Sequence, residues 1–339
     1  MTGRSSVSRS VRSVARWLGG ATIVAVIVWR LGTDPFLHGI RSVDGRSLAL
    51  AAGIGFVTTV CAAWRWHLVA RGLGVDLPLR TATAAYYRSQ LLNTVLPGGV
   101  LGDVDRAVRH GSEVGNVGRG LRAVAWERTA GQFVQLVVGL LVLLLLPSWV
   151  PTWLPLVVGA VVVGALGGGL LLRGRPPRGA SRGARAFRAA AGDIREGVLA
   201  RHGPGIALAS VVVVTGHVST LLLAARTAGA VSPTIQLLPL AMLVLLATAV
   251  PTNIGGWGPR EGVAAWAFGA AGLGAAQGVA TATVYGLLSL AAISPAALLL
   301  AVAWLQRRRG PGETPPREFP TSGLDLVPAA ARSEGGVCD

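Results

Sequence analysis

LNTVLPGGVLGDVDR, residues Leu92–Arg106, interrupts a chain made mostly of apolar runs. Within fifteen positions it carries Asn93, Pro97, Gly98, Gly99, Gly102, Asp103, Asp105 and Arg106. Proline and glycine break helices, and Asp and Arg are costly in hydrocarbon. Broken backbone at membrane depth survives only where protein buries it or water reaches it. A second such stretch, PTNIGGWGPREG, occupies Pro251–Gly262. It carries Asn253, Gly255, Gly256, Gly258, Arg260 and Glu261. Two broken, charged segments in the two halves of a membrane protein point to a substrate site between them.

The surrounding composition fits. The chain is 52% hydrophobic and 14% charged, as expected of a polytopic helical membrane protein rather than a soluble domain. A formal charge of +16 raises nucleic acid as a partner. The cations sit instead in short blocks between apolar runs, which reads as inner-leaflet anchoring, with no nucleic-acid partner expected. Apart from histidine every cation is arginine. Cys61 and Cys338 are too few for a disulfide or metal framework.

The pattern predicts an all-α polytopic membrane protein with about eight transmembrane helices, re-entrant broken segments and two pseudo-repeated halves. Residues 1–16 read as a basic cytoplasmic N-terminus and 17–172 as the first transmembrane half. Residues 173–204 form a basic loop holding eight arginines against Asp193 and Glu196, which the positive-inside rule places in the cytoplasm. Residues 205–304 make the second half, and 305–339 a disordered cytoplasmic tail. The protein is expected in the plasma membrane with both termini on the cytoplasmic side. Ser47–Trp64 is read as a span ended by an interface anchor at Arg65, Trp66 and His67. Thr81–Val100 is expected to be broken or re-entrant, and His110–Gly120 a polar connector. Ile235–Val250 and Val263–Leu273 are read as further apolar segments, the second as one that enters the bilayer without necessarily crossing.

The two broken stretches share a grammar: a proline, an asparagine, a glycine pair, a further glycine, then both charge signs. Asp103 fits an N-cap with the helix from Val104 onward, and Pro259 fits a first helical position with Glu261 in the first turn. Freed N–H groups at a helix start form an anion site, and glycines let a ligand approach. Arginine grips phosphate through paired hydrogen bonds. Arg106 and Arg260 are therefore candidate phosphate ligands. Asp103, Glu127 and Glu261 read as partners of a cationic head group, as counter-charges, as proton carriers or simply as caps. Arg128, Gln132 and Gln135 share a helical face directed into the bundle. Arg128 reads as ligand or snorkelling residue, the glutamines as interhelical glue, and His217 as packing.

With these residues in view, the chain resembles the flippase-like transmembrane family named after lysylphosphatidylglycerol synthase. The resemblance rests on AYYRSQ at Ala85–Gln90, LNTVLPGGVLGDVDRA at Leu92–Ala107, ERTAGQ at Glu127–Gln132 and PTNIGGWGPREG at Pro251–Gly262. With these motifs in that order and spacing, the resemblance covers about Trp17 to Trp304. The family's transmembrane part is similar to the flippase half of the multiple peptide resistance factor, where a separate acyltransferase-like domain makes the lipid. No such domain is expected after Trp304, so the resemblance is read as implying lipid handling and not synthesis. The substrate-binding set expected here is Asn93, Gly98, Gly99, Asp103, Arg106, Glu127, Arg128, Asn253, Gly255, Gly256, Arg260 and Glu261. No catalytic residue, cofactor or metal is expected. The expected partners are membrane lipids, anionic or phosphate-bearing, with a lipid-modifying enzyme as a further partner. Two alternatives remain open on the sequence: a secondary transporter of a small anion, and a non-catalytic protein presenting lipid to a glycosyltransferase. A membrane enzyme would need a nucleophile with a base or a metal cluster, and the five scattered histidines form no such motif.

Overall fold

The computed structural model describes residues 22–96, 99–146, 202–248 and 258–308, with short pieces between 156 and 195, and side chains as far as residue 295. The sequence expectations for residues 1–16, for Gly98, for most of the basic loop, for Asn253, Gly255 and Gly256, and for the tail lie outside the described residues. Two units divide the chain, Met1–Leu299 and Leu300–Asp339.

Among the described residues every regular element is a helix. Helix α1 (Thr22–Leu31) meets α2 (Asp34–Ser42) at a 95° bend. Gly32, at φ 73°, sits in that bend, a conformation side chains with a Cβ adopt poorly. Helix α3 (Gly45–Gly72) starts with a capping box: Asp44 accepts the Ser47 N–H at 2.8 Å and the Ser47 hydroxyl accepts the Asp44 N–H. Helices α4 (Leu79–Val95) and α5 (Leu101–Glu113) flank the first broken stretch, and α6 (Val117–Leu145) follows. Then come α7 (Gly203–Thr227), α8 (Thr234–Ala247), α9 (Pro259–Ala270) and α10 (Ala275–Arg308).

Among the described residues four helices are long and apolar enough to cross a membrane: α3, α6, α7, and α10 as far as Pro295; counting the bent α1–α2 pair as one span makes five. The expected eight crossings are thus not what the described residues display. Helices α8 and α9 account for part of the difference, at 14 and 12 residues. At 1.5 Å per residue they reach about 21 and 18 Å, short of a ~30 Å hydrocarbon core. A hydropathy reading sees an apolar run and has no measure of where its helix stops. Each broken stretch lies between two helices that pack against each other, α4 on α5 and α8 on α9.

Helices α3 and α7 form the most extensive contact. Small buried residues recur every four positions along α3, at Ala51, Gly55, Thr59 and Ala63, allowing close approach in a setting where dispersion does the packing. Gly216 of α7 lies against Thr58 and Ile54, and Gly55 against Ala292 of α10. Helix α8 is buried nearly all round, through Leu237, Leu240, Met242 and Val244, and forms a core with α7 and α10. By contrast only 17% of the most apolar window of α6 is buried, and Leu141, Leu144 and Leu145 are exposed, as a lipid-facing side requires.

Two local expectations change. Arg65, Trp66 and His67 do not end a span; α3 runs seven residues past Arg65 to Gly72, and Arg65 and Trp66 are 5% and 1% exposed. The covering comes from α4, α5 and α6, which sequence order does not reveal. The polar connector expected at His110–Gly120 is mostly helix: α5 runs to Glu113 and α6 starts at Val117. Glycines allow this tight junction. A Cβ on Gly120 would strike the backbone of Ala107 and Gly111, and one on Gly111 the backbone of Val117.

Candidate functional site

The first broken stretch is held by side chains rather than by lipid. Helix α5 begins at Leu101, so Asp103 stands in its first turn and is not the N-cap. Asn93 takes that role from the end of α4: its Oδ1 accepts the Gly102 N–H at 2.7 Å, and its Nδ2 donates to Asp103 at 3.2 Å. Gly102 is required here, because a Cβ would collide with the Ser89 backbone of α4. Ser89 also donates to Asp103 at 3.0 Å.

From Asp103 an ion-pair network runs inward. Arg106 donates to Asp103 through Nε at 3.0 Å and to Glu127 through Nη2 at 2.7 Å. Its guanidinium lies between two rings, 4.6 Å from the centroid of Trp66 and 4.4 Å from that of Tyr86. Glu127 on α6 is fully buried and also accepts from Arg65 at 2.9 Å and Tyr86 at 3.3 Å. Arg65 reaches Ser210 of α7 at 3.2 Å, and its guanidinium lies where a Cβ on Gly131 would stand. Arg128 closes the cluster at 2.5 Å from Asp103. A buried charge persists only when it is paired and hydrogen-bonded, and the network meets that condition for both carboxylates.

The second stretch is simpler. Pro259 opens α9 as its spacing predicts, and Glu261, fully buried in the first turn, accepts the Gly258 N–H at 2.7 Å and Arg260 Nε at 2.9 Å. Gly258, at φ 128°, has a backbone conformation open essentially to glycine alone. Arg260 lies 5.4 Å over the ring of Tyr285 on α10, and Gly286 makes room for its guanidinium.

Two cavities connect these clusters. One, of about 280 Å³, is lined by Arg128, Gln132 and Gln135 of α6, His217 of α7, and Arg260 and Tyr285. The other, of about 340 Å³, shares Arg128, Gln132, Gln135 and His217 and continues to Arg65, Tyr86, Gln90, Asn93 and Gly99. Arg128, which pairs with Asp103 of the first broken stretch, and Arg260 of the second therefore face a common space. Arg128 keeps 42% of its side-chain surface accessible, while its Nε is buried without a hydrogen-bond partner among the described residues. Gln135 spans the bundle to donate to the Leu245 carbonyl at 3.0 Å.

The residues singled out in the sequence thus divide. Arg128, Arg260, Asn93 and Gly99 line the cavities. Arg106, Asp103, Glu127 and Glu261 stand behind them as the wall's charge framework. Sequence reasoning missed Arg65, Tyr86 and Tyr285, and His217 faces both cavities with Nδ1 3.5 Å from the Tyr285 hydroxyl. Arg65 could have been found as a charge inside an apolar run. Tyr285 gives no such signal.

Lipid-length apolar helices around a buried arginine–carboxylate centre define a multi-pass, membrane-embedded helical protein. The comparison with known families is more specific. The model described as the lysylphosphatidylglycerol synthase TM region matches residues 16–305, and the chain belongs to that family. No curated protein and no solved structure matches the chain.

Proposed function

We propose that the protein binds the phosphate-bearing head group of a membrane lipid in the space between Arg128 and Arg260, and so carries that lipid across or presents it within the bilayer. One observation supports this above all. In the first cluster three guanidiniums, of Arg65, Arg106 and Arg128, face two carboxylates, of Asp103 and Glu127, whereas Arg260 and Glu261 balance each other. One positive charge is left over; among the described residues two buried arginine nitrogens of this cluster lack a hydrogen-bond partner, Arg106 Nη1 and Arg128 Nε, and of the two residues Arg128 lines the cavity wall. Arginine stays charged, so a bound anion is what removes the imbalance. A polar cavity also lowers the barrier for a charged head group in the apolar core. The setting is the plasma membrane with both termini cytoplasmic, on the arginine distribution alone. The protein acts without catalysing a covalent step.

Reconstitution into liposomes with fluorescent phosphatidylglycerol tests the reading, with dithionite quenching reporting exchange between leaflets. Arg128→Ala and Arg260→Ala each lower the protein-dependent rate at least tenfold. Rates equal to that of the unmodified protein overturn it, as does a lipid-free protein after purification from labelled membranes.

A further inference from the structure

The cavity walls carry a selectivity that the charge imbalance alone does not. We infer that the head group bound here is a phosphate ester of an uncharged, hydroxyl-bearing group, such as glycerol, inositol or a sugar, and that amine-bearing head groups are excluded. This rests on the proposed head-group site and names its substrate class.

Among the described residues no Asp or Glu lines either cavity. Residues 97–98 and 249–257, which adjoin the lining residues in the chain, contain no Asp or Glu either. Among the described residues the nearby carboxylates Asp103, Glu127 and Glu261 stand behind the wall, 7%, 0% and 0% exposed, and are each already paired, with Arg106 or with the lining Arg65, Arg128 and Arg260. An ammonium group would find no counter-ion and would face Arg65, Arg128 and Arg260. That is a built-in repulsive element, the usual source of discrimination between similar ligands. The larger cavity offers something different. Thr58, Thr94 and Ser289 each donate their hydroxyl proton to a carbonyl of their own helix, which leaves oxygen lone pairs toward the cavity. Gln90 and Gln132 add amides on the same wall. Acceptors of this kind match the hydroxyl donors of a polyol. Phosphate between Arg128 and Arg260 and polyol toward Gln90 use both compartments.

The test is thermal unfolding of the purified full chain in detergent, titrated with dihexanoyl lipids. Phosphatidylglycerol and phosphatidylinositol are expected to stabilise it at concentrations at least tenfold below phosphatidylethanolamine and lysyl-phosphatidylglycerol. Gln90→Glu, which keeps the acceptor that Thr59 uses at 3.2 Å, is expected to narrow that gap by introducing an anion. Equal potency of the amine lipids overturns the selectivity while leaving the head-group site standing. No stabilisation by any of the four overturns the head-group site itself. Glycerol 1-phosphate, without acyl chains, separates the sources: potency equal to phosphatidylglycerol makes the ligand a soluble phosphate ester and overturns the lipid assignment alone.

Discussion

Replacing Glu127 by glutamine removes one negative charge from a fully buried side chain while keeping its shape. Glu127 is the only carboxylate that touches both Arg65 and Arg106, at 2.9 and 2.7 Å, among the described residues. After the change Arg106 keeps the anionic Asp103 and its two aromatic rings, but Arg65 loses its one carboxylate partner among the described residues and is left with neutral acceptors such as Ser210. Arginine does not deprotonate in response, so a charge stays buried and uncompensated. Removing one partner of a buried pair costs about 3–5 kcal/mol. At about 2–4 °C per kcal/mol, that is a fall in unfolding temperature of roughly 6–20 °C. Tryptophan fluorescence in detergent follows it directly, because Trp66 lies under Arg106. Adding Arg65→Gln to Glu127→Gln removes the orphaned charge, and the double variant is expected to be more stable than Glu127→Gln alone, a coupling that a double-mutant cycle isolates. A single-variant loss under about 1 kcal/mol, or a double variant that loses the sum of both changes, refutes the idea that charge balance holds this cluster.

Gly102→Ala forces a Cβ against the Ser89 backbone, and overpacking of this kind costs about 1–3 kcal/mol, read in the same melt. Asn93→Ala removes both the helix-start acceptor for Gly102 and a donor to Asp103; a capping loss of about 1 kcal/mol is expected, with lipid exchange in liposomes slowed as the Asp103–Arg128 wall loosens. Asp44, outside the span it caps, has its carboxyl held below its ordinary value of 3.8, chiefly by the Ser47 backbone N–H. A depressed carboxyl contributes stability above that ordinary value and loses it as pH falls through the folded-state value. Asp44→Ala therefore lowers the melting temperature at pH 7, and the gap to the unmodified protein closes in acid; a gap independent of pH rejects the charge as its cause.

The sequence by itself determined that this is a helical membrane protein with two broken, charged stretches. Apolar runs and the cost of Asp, Arg, Pro and Gly in hydrocarbon are local properties, and the motifs around Asn93, Asp103, Glu127 and Arg260 are local too. It also placed Pro259 at the start of α9 and put Arg128, Gln132 and Gln135 on one face. Tertiary structure decided which charge does what. Arg106 and Arg128 are indistinguishable as letters, yet two rings and two carboxylates enclose the first while the second faces a cavity. Arg65 and Glu127 lie 62 positions apart, and Arg65 and Ser210 lie 145 apart. No periodicity encodes a contact across that distance. It exists because small residues let α3, α6 and α7 approach closely enough for long side chains to meet.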